Sequence, residues 1–160
     1  MPAAALRMPV ATVRPASDGR RDLTVALWTP GAVAATDVPV LVSITDLAVI
    51  RSRDVGRVYI EGLRLRRVWE SVPGSLGLWL WGKPLRRRGG SVSVWRDEDA
   101  LRGFVGWERH VEIMRRYRGA GELTAATWRS DCFDPAEIWA RCLERLSGDD
   151  PELSHSPVSA

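Results

Sequence analysis

The stretch 75–81, Ser-Leu-Gly-Leu-Trp-Leu-Trp, constrains the fold more than any other part of the chain. Read as a strand, it puts Leu76, Leu78 and Leu80 on one side and Trp79 and Trp81 on the other, and both sides are apolar. Such a strand cannot leave either side in water, so its sheet must be covered on both faces. If the neighbouring helices cover one face, a second sheet from another copy of the chain is the economical cover for the other. The pattern therefore predicts a homodimer.

The rest of the chain supplies the sheet and its helices. Residues 22–28 suggest a short strand, 30–37 a Gly/Ala/Thr linker, and 38–48, rich in Val, Leu and Ile, the first core strand. A helix follows with Ser52 as N-cap, and Val55, Val58, Tyr59, Gly62, Leu65, Trp69 and Val72 recur at helical steps. Its outer face is Arg57, Glu61, Arg64 and Arg67, and Pro73-Gly74 stops it. Pro84, the run Arg86 to Arg88 and Gly89-Gly90 read as a turn over 82–90, and 91–95 as the strand that pairs with 75–81. Asp97 caps a second helix whose acidic start and basic finish both complement the helix dipole. A strand at 123–128 and a last helix opened by Asp134-Pro135 and ending near Ser147 complete the order.

This order predicts an α+β fold: a ferredoxin-like βαββαβ antiparallel sheet with two helices on one face and an extra C-terminal helix. The expected organisation is an arm and linker over 1–37, the domain over 38–148 and a mobile tail over 149–160. With 160 residues and 45% hydrophobic content the chain can fill one core without metals or disulfides. No apolar run is long enough to cross a bilayer and no signal core opens the sequence, so cytoplasm is the expected compartment, with no membrane partner. Cys132 and Cys142 lack the companions of a zinc site, and no metal is expected.

The formal charge is +3, and Lys83 is the only lysine among the 23 basic residues. That bias reflects codon supply more than recognition, and the Arg86 to Arg88 run reads first as a solvated turn. RNA-recognition modules share the βαββαβ order, but their aromatic-bearing third strand has no counterpart in Gly90-Ser91-Val92-Ser93-Val94-Trp95, so no nucleic-acid partner is expected. No phosphate loop, nucleophile elbow or paired-carboxylate pattern is present.

The second helix changes phase. Leu101, Phe104 and Val105 form one stripe, which breaks at Gly106-Trp107; counting again from His110 gives His110, Ile113, Met114 and Tyr117. A break near Gly106 is expected, with His110 facing inward between helix and sheet, where an imidazole can serve as acid, base, polar anchor or haem ligand. A lone His on an apolar stripe is more often a core residue with one satisfied hydrogen bond. Trp79, Trp81, Trp95, Phe104, Trp107, Met114 and Tyr117 are the candidate lining of an apolar pocket. For the strand tryptophans, core or dimer packing is the competing reading.

The strand ending in Trp95, the acidic start at Asp97 with Ala100, Leu101 and Phe104, and the inward His110 before Arg115-Arg116 together resemble the dimeric α+β barrel superfamily. Within it they look most like the spheroidene monooxygenase-like groups, and more distantly like antibiotic-biosynthesis and haem-degrading monooxygenases. The resemblance covers about residues 38–128 and implies a homodimeric barrel with each substrate pocket between a sheet and its own helices. It supports His110 as the inward histidine, and Trp95 and Phe104 as pocket or core aromatics.

The expected function is a small-molecule enzyme of bacterial specialised metabolism, monooxygenase-like, acting on an apolar or polycyclic substrate with His110 as acid, base or anchor. It is expected to work without a cofactor. The alternatives are a haem protein with His110 as axial ligand and a non-catalytic dimeric binding protein.

Overall fold

The computed structural model describes residues 23–25, 28–34 and 37–147. The expected arm at 1–21 and tail from Asp149 lie outside the described residues. Six strands form one sheet: β1 (Thr24–Val25), β2 (Thr29–Pro30), β3 (Val40–Val49), β4 (Ser75–Lys83), β5 (Arg88–Trp95) and β6 (Gly121–Ser130). The helices are α1 (Ser52–Arg66), α2 (Glu98–Val105), α3 (Glu108–Arg116) and α4 (Pro135–Leu146). The four long strands lie in the order β4-β5-β3-β6, antiparallel throughout, which is the ferredoxin-like arrangement that the element order predicts. Both β1 and β2 pair with the outer edge of β4, so residues ahead of the expected domain start belong to its sheet.

The alternation of β4 survives with one change. A register shift between Ser75 and Gly77 turns Leu76 round, so that it joins Trp79 and Trp81 instead of Leu78 and Leu80. On the first face Leu76, Trp79 and Trp81 pack with Val40, Val42, Ile44, Val92, Val94 and Trp128. On the second, Leu78 and Leu80 pack with Leu41, Trp69, Val72 and Trp95. Two glycines make the first face possible. A Cβ on Gly77 would stand 1.9 Å from the Trp28 ring, and one on Gly90 would stand 1.9 Å from the Thr45 carbonyl and 3.1 Å from Trp81 Nε1. Without them Trp28 could not lie on β4, and Trp81 could not cross β5 to donate to the Thr45 carbonyl at 3.1 Å.

The inference that the first face lacks a cover is corrected: α4 lies on it. Ile138, Trp139, Cys142 and Leu146 are buried in the same cluster as Trp79 and Trp81, Trp139 meets Trp79 edge-on at 5.6 Å, and Lys83 Nζ donates to the Leu146 carbonyl at 3.2 Å. Trp28 and Phe133 close the rest, with Trp28 4.2 Å from Trp79 and 5.1 Å from Phe133. The two-sided apolarity of β4 is thus met within one chain, and the second sheet is not needed to satisfy it. Burial among these groups pushes the Cys142 thiol up to about 12.

Other expectations shift at element ends. Arg51, not Ser52, is the N-cap of α1 and its side chain caps nothing, while the expected continuation to Val72 becomes a separate 3-10 turn at Trp69–Ser71. The turn predicted over 82–90 shrinks to Pro84–Arg86 and Arg87, which takes a left-handed φ of 53°; Gly89 and Gly90 belong to β5. Glu61, assigned to the outer face of α1, is only 8% exposed, whereas Tyr59, assigned inward, is 40% exposed. The reason is a distant partner: Arg116 Nη1 at the end of α3 donates to Glu61 Oε1 at 2.7 Å, and Arg64 Nη1 donates to it at 3.0 Å.

If α4 seals the first face, Trp139→Ala should cost about 3–5 kcal/mol, the range for deleting a buried aromatic. Urea unfolding of the variant measures this, and a loss below about 1 kcal/mol would show that the helix is not docked.

Candidate functional site

The sequence S-V-S-V over 91–94 carries a signal that the aromatic reading passed over. With period two it puts valines on the first face and hydroxyls on the second. There Thr45 Oγ1 accepts from the Ser91 backbone N–H at 3.0 Å and lies 3.0 Å from Ser91 Oγ, while Ser93 Oγ accepts from Trp95 Nε1 at 2.8 Å. Toward β6 this face is incompletely covered: Thr45, Leu47, Leu123 and Ala125 are half-buried, Thr127 is exposed, and no residue of α2 or α3 is buried.

Above the other end of this face stands a column of aromatic side chains. Trp69 meets Trp95 at 5.4 Å and Phe104 at 5.1 Å, both edge-on, and Phe104 lies 5.2 Å from Trp95 and 6.3 Å from Trp107. Trp69 Nε1 is buried with no hydrogen-bond partner among the described residues. Asp97 sets the entry of α2, accepting from the Ala100 N–H at 2.8 Å, and Arg96 beside it holds its carboxyl below the usual range.

His110 ends the column. The break expected near Gly106 is present, with α2 stopping at Val105 and α3 starting at Glu108. It frees the Val105 carbonyl, to which His110 Nδ1 donates at 3.2 Å. The imidazole packs 4.5 Å from the Phe104 ring and is half-buried, so it faces the aromatic column rather than the sheet. A carbonyl oxygen only accepts, so the neutral ring carries its proton on Nδ1 and leaves the Nε2 lone pair available; Nε2 has no hydrogen-bond partner among the described residues. Burial lowers the His110 pKa from 6.5, opposed by the bond to Val105.

Of the sequence-predicted lining, the fold brings Trp95, Phe104, Trp107 and His110 together. It separates Trp79 and Trp81, which lie on the first face with α4: Trp79 pairs with Val92 across the β4–β5 ladder, and Trp95, three residues further along β5, points to the opposite side. Met114 is 39% exposed on α3, and Tyr117 follows the end of that helix in the wall of a different cavity. Trp69, counted beforehand only as a helix-face residue, joins the column. Among the described residues no group of three or more His, Cys, Asp or Glu could hold a metal ion, and no helix is long and apolar enough to cross a membrane.

No family model matches the chain, and no curated protein does. Solved structures do match. A candidate monooxygenase of Lactobacillus acidophilus superimposes with a TM-score of 0.50 at 15% identity, over 60% of this chain and 47% of that one. A candidate monooxygenase of Fusobacterium nucleatum gives 0.51 at 11% identity, over 69% and 49%. A conserved protein of Methanosarcina mazei gives 0.51 at 12% identity, over 57% and 93%. The chain thus spans about half the length of the two monooxygenase structures it matches. At these identities the likeness establishes the fold, which is the ferredoxin-like one that the sequence resemblance implies.

The lowered His110 pKa has a thermodynamic consequence. Because the folded state binds the proton more weakly than the unfolded state, the unfolded state carries more protons below pH 6.5. Stability should be full above that value and fall as pH drops through it toward the folded pKa. Melting temperatures between pH 8 and pH 5 should show this decline in the parent protein and less of it in His110→Gln; identical profiles would mean that His110 is not the group responsible.

Proposed function

We propose that the chain is a small-molecule enzyme, monooxygenase-like, that holds an apolar or polycyclic substrate against Phe104 and Trp107, backed by the fully enclosed Trp95, with His110 as base or polar anchor. The observation that carries this reading is the His110 geometry: one ring nitrogen fixed on the Val105 carbonyl, the other unengaged beside an aromatic surface. That is how an imidazole is held for proton transfer. An electron-rich aromatic substrate bound there would lose an acidic proton to Nε2, and the resulting anion is the form that donates electrons to dioxygen. The half-buried hydroxyls of Thr45 and Ser91 offer polar partners for substrate oxygens.

Oxygen uptake with a panel of polycyclic phenols tests the reading. His110→Ala should lower turnover at least about tenfold while stability changes by less than about 1 kcal/mol. A loss of roughly 1–3 kcal/mol with turnover unchanged would make His110 a packing residue.

Haem binding is the second reading, favoured by the same geometry, since an imidazole anchored through Nδ1 would have Nε2 available to hold the iron. Bound haem would supply the redox chemistry, while His110 would hold it and the aromatic column would exclude water. Titration with hemin should then give a Soret band that His110→Ala abolishes.

The homodimer belongs to this proposal on new grounds. With the first face closed by α4, its support is β6, a strand of ten residues paired on one side only among the described residues. Light scattering at micromolar concentration should report a dimer, and a monomer throughout the range would remove it.

A further inference from the structure

Three loops that sequence reading treats separately meet at one end of the sheet. The Val49 N–H donates to the Arg87 carbonyl at 2.9 Å, the Ile50 N–H to the Ala120 carbonyl at 2.9 Å, and Arg87 Nη1 to the Ile50 carbonyl at 2.8 Å. These bonds tie together the start of α1, the β4–β5 turn and the loop from α3 to β6. Between the start of α1 and the end of α3 lies a cavity of about 460 Å³, walled by Arg51, Asp54, Arg57, Arg116, Tyr117 and Arg118 and floored by Gly119 and Ala120. It stands at the opposite end of α3 from His110.

Four arginines and one aspartate therefore line one hollow. Two are engaged: Arg57 pairs with Asp54 at 3.6 Å, and Arg116 with the buried Glu61 at 2.7 Å. Arg51 and Arg118 make no ion pair among the described residues. The fold's own carboxylates thus answer Arg57 and Arg116, while the charges of Arg51 and Arg118 are left uncompensated at the mouth of the hollow among the described residues. The first turn of α1 adds to this field, because the Arg51 side chain accepts nothing at the N-cap.

We infer that this cavity is a binding site for a small phosphate-bearing molecule, held by Arg51 and Arg118 with Arg57 and Arg116 behind them. Guanidinium forks match phosphate oxygens in pairs, and the Tyr117 hydroxyl offers a further donor. The volume falls within the range of small-molecule sites, roughly 300–1,000 Å³. Asp54 restrains the site by occupying Arg57 and opposing an incoming anion. The site is independent of the imidazole chemistry and stands or falls separately from it.

Calorimetric titration of the full chain with pyrophosphate, and with inorganic phosphate as the smaller probe, tests the proposal in chloride of about 0.15 M, which screens loose surface attraction. Saturable binding of one pyrophosphate per chain is expected. Arg51→Ala/Arg118→Ala should weaken it at least about tenfold, with the melting temperature of the ligand-free protein unchanged because both side chains are exposed. Asp54→Asn should strengthen it severalfold, a gain that a merely destabilising change would not give. Absence of saturable binding, or binding that the double variant retains, would overturn the proposal. So would a parent protein that ignores pyrophosphate but binds a single-stranded oligonucleotide or phosphatidylserine vesicles through the same two arginines, since the charge would then belong to a macromolecular surface.

Discussion

Burying β4 on both sides obliges the chain to find two different covers for one sheet, and the rest of the architecture follows from how it does so. The second face takes the cover that βαββαβ order provides, with Leu63 of α1 and Leu101 and Phe104 of α2 packed on Leu78, Leu80 and Trp95. The first face takes α4, Trp28 and Phe133. Indoles fill this face because helix and sheet stand far enough apart for large side chains, and because Gly77 and Gly90 let Trp28 and Trp81 lie directly on the backbone. With apolar burial worth roughly 25 cal/mol per Å², an aromatic layer of this kind carries much of the fold's stability.

Element type and order were legible because period two and helical period are local properties. Local pattern does not reveal a bulge, so the single register shift that moves Leu76 to the tryptophan side left no trace in the alternation. Nor does it reveal where an amphipathic helix docks: the apolar stripe of α4 was readable, its destination was not. Glu61 shows the same limit in charge. Its position at helical spacing among arginines reads as solvated, and only the three-dimensional return of Arg116 to its side makes burial tolerable.

The candidate site divides along the same line. The phase change at Gly106 follows from counting residues, as does the hydroxyl row once alternation is applied to 91–94; counting places His110 between helix and sheet, whereas its ring lies on Phe104 in the aromatic column. That Nδ1 would meet the Val105 carbonyl depends on the break itself, because an unbroken helix would have used that carbonyl for a backbone bond. The separation of Trp79 and Trp81 from Trp95 depends on the register between β4 and β5, which alternation within either strand does not give. The basic cavity joins the start of α1 to the end of α3, positions about sixty residues apart that only the fold brings together.

These features bear on α3. It has no fully buried residue and only His110, Val111 and Ile113 half-buried, so packing is a weak part of what positions it. At one end His110 lies on Phe104 and holds Val105; at the other, Arg116 holds Glu61. The second tie is the stronger constraint, because withdrawing Arg116 would leave a buried carboxylate with less compensation, whereas withdrawing the imidazole exposes part of one ring. A helix held by its ends over a partly open, hydroxyl-bearing sheet face is placed without filling the space beneath it. The chain thus keeps its stability on the α4 face, where Trp79, Trp81, Trp128 and Trp139 are enclosed, and leaves polar groups accessible on the opposite face, where closer packing of α3 would have covered them.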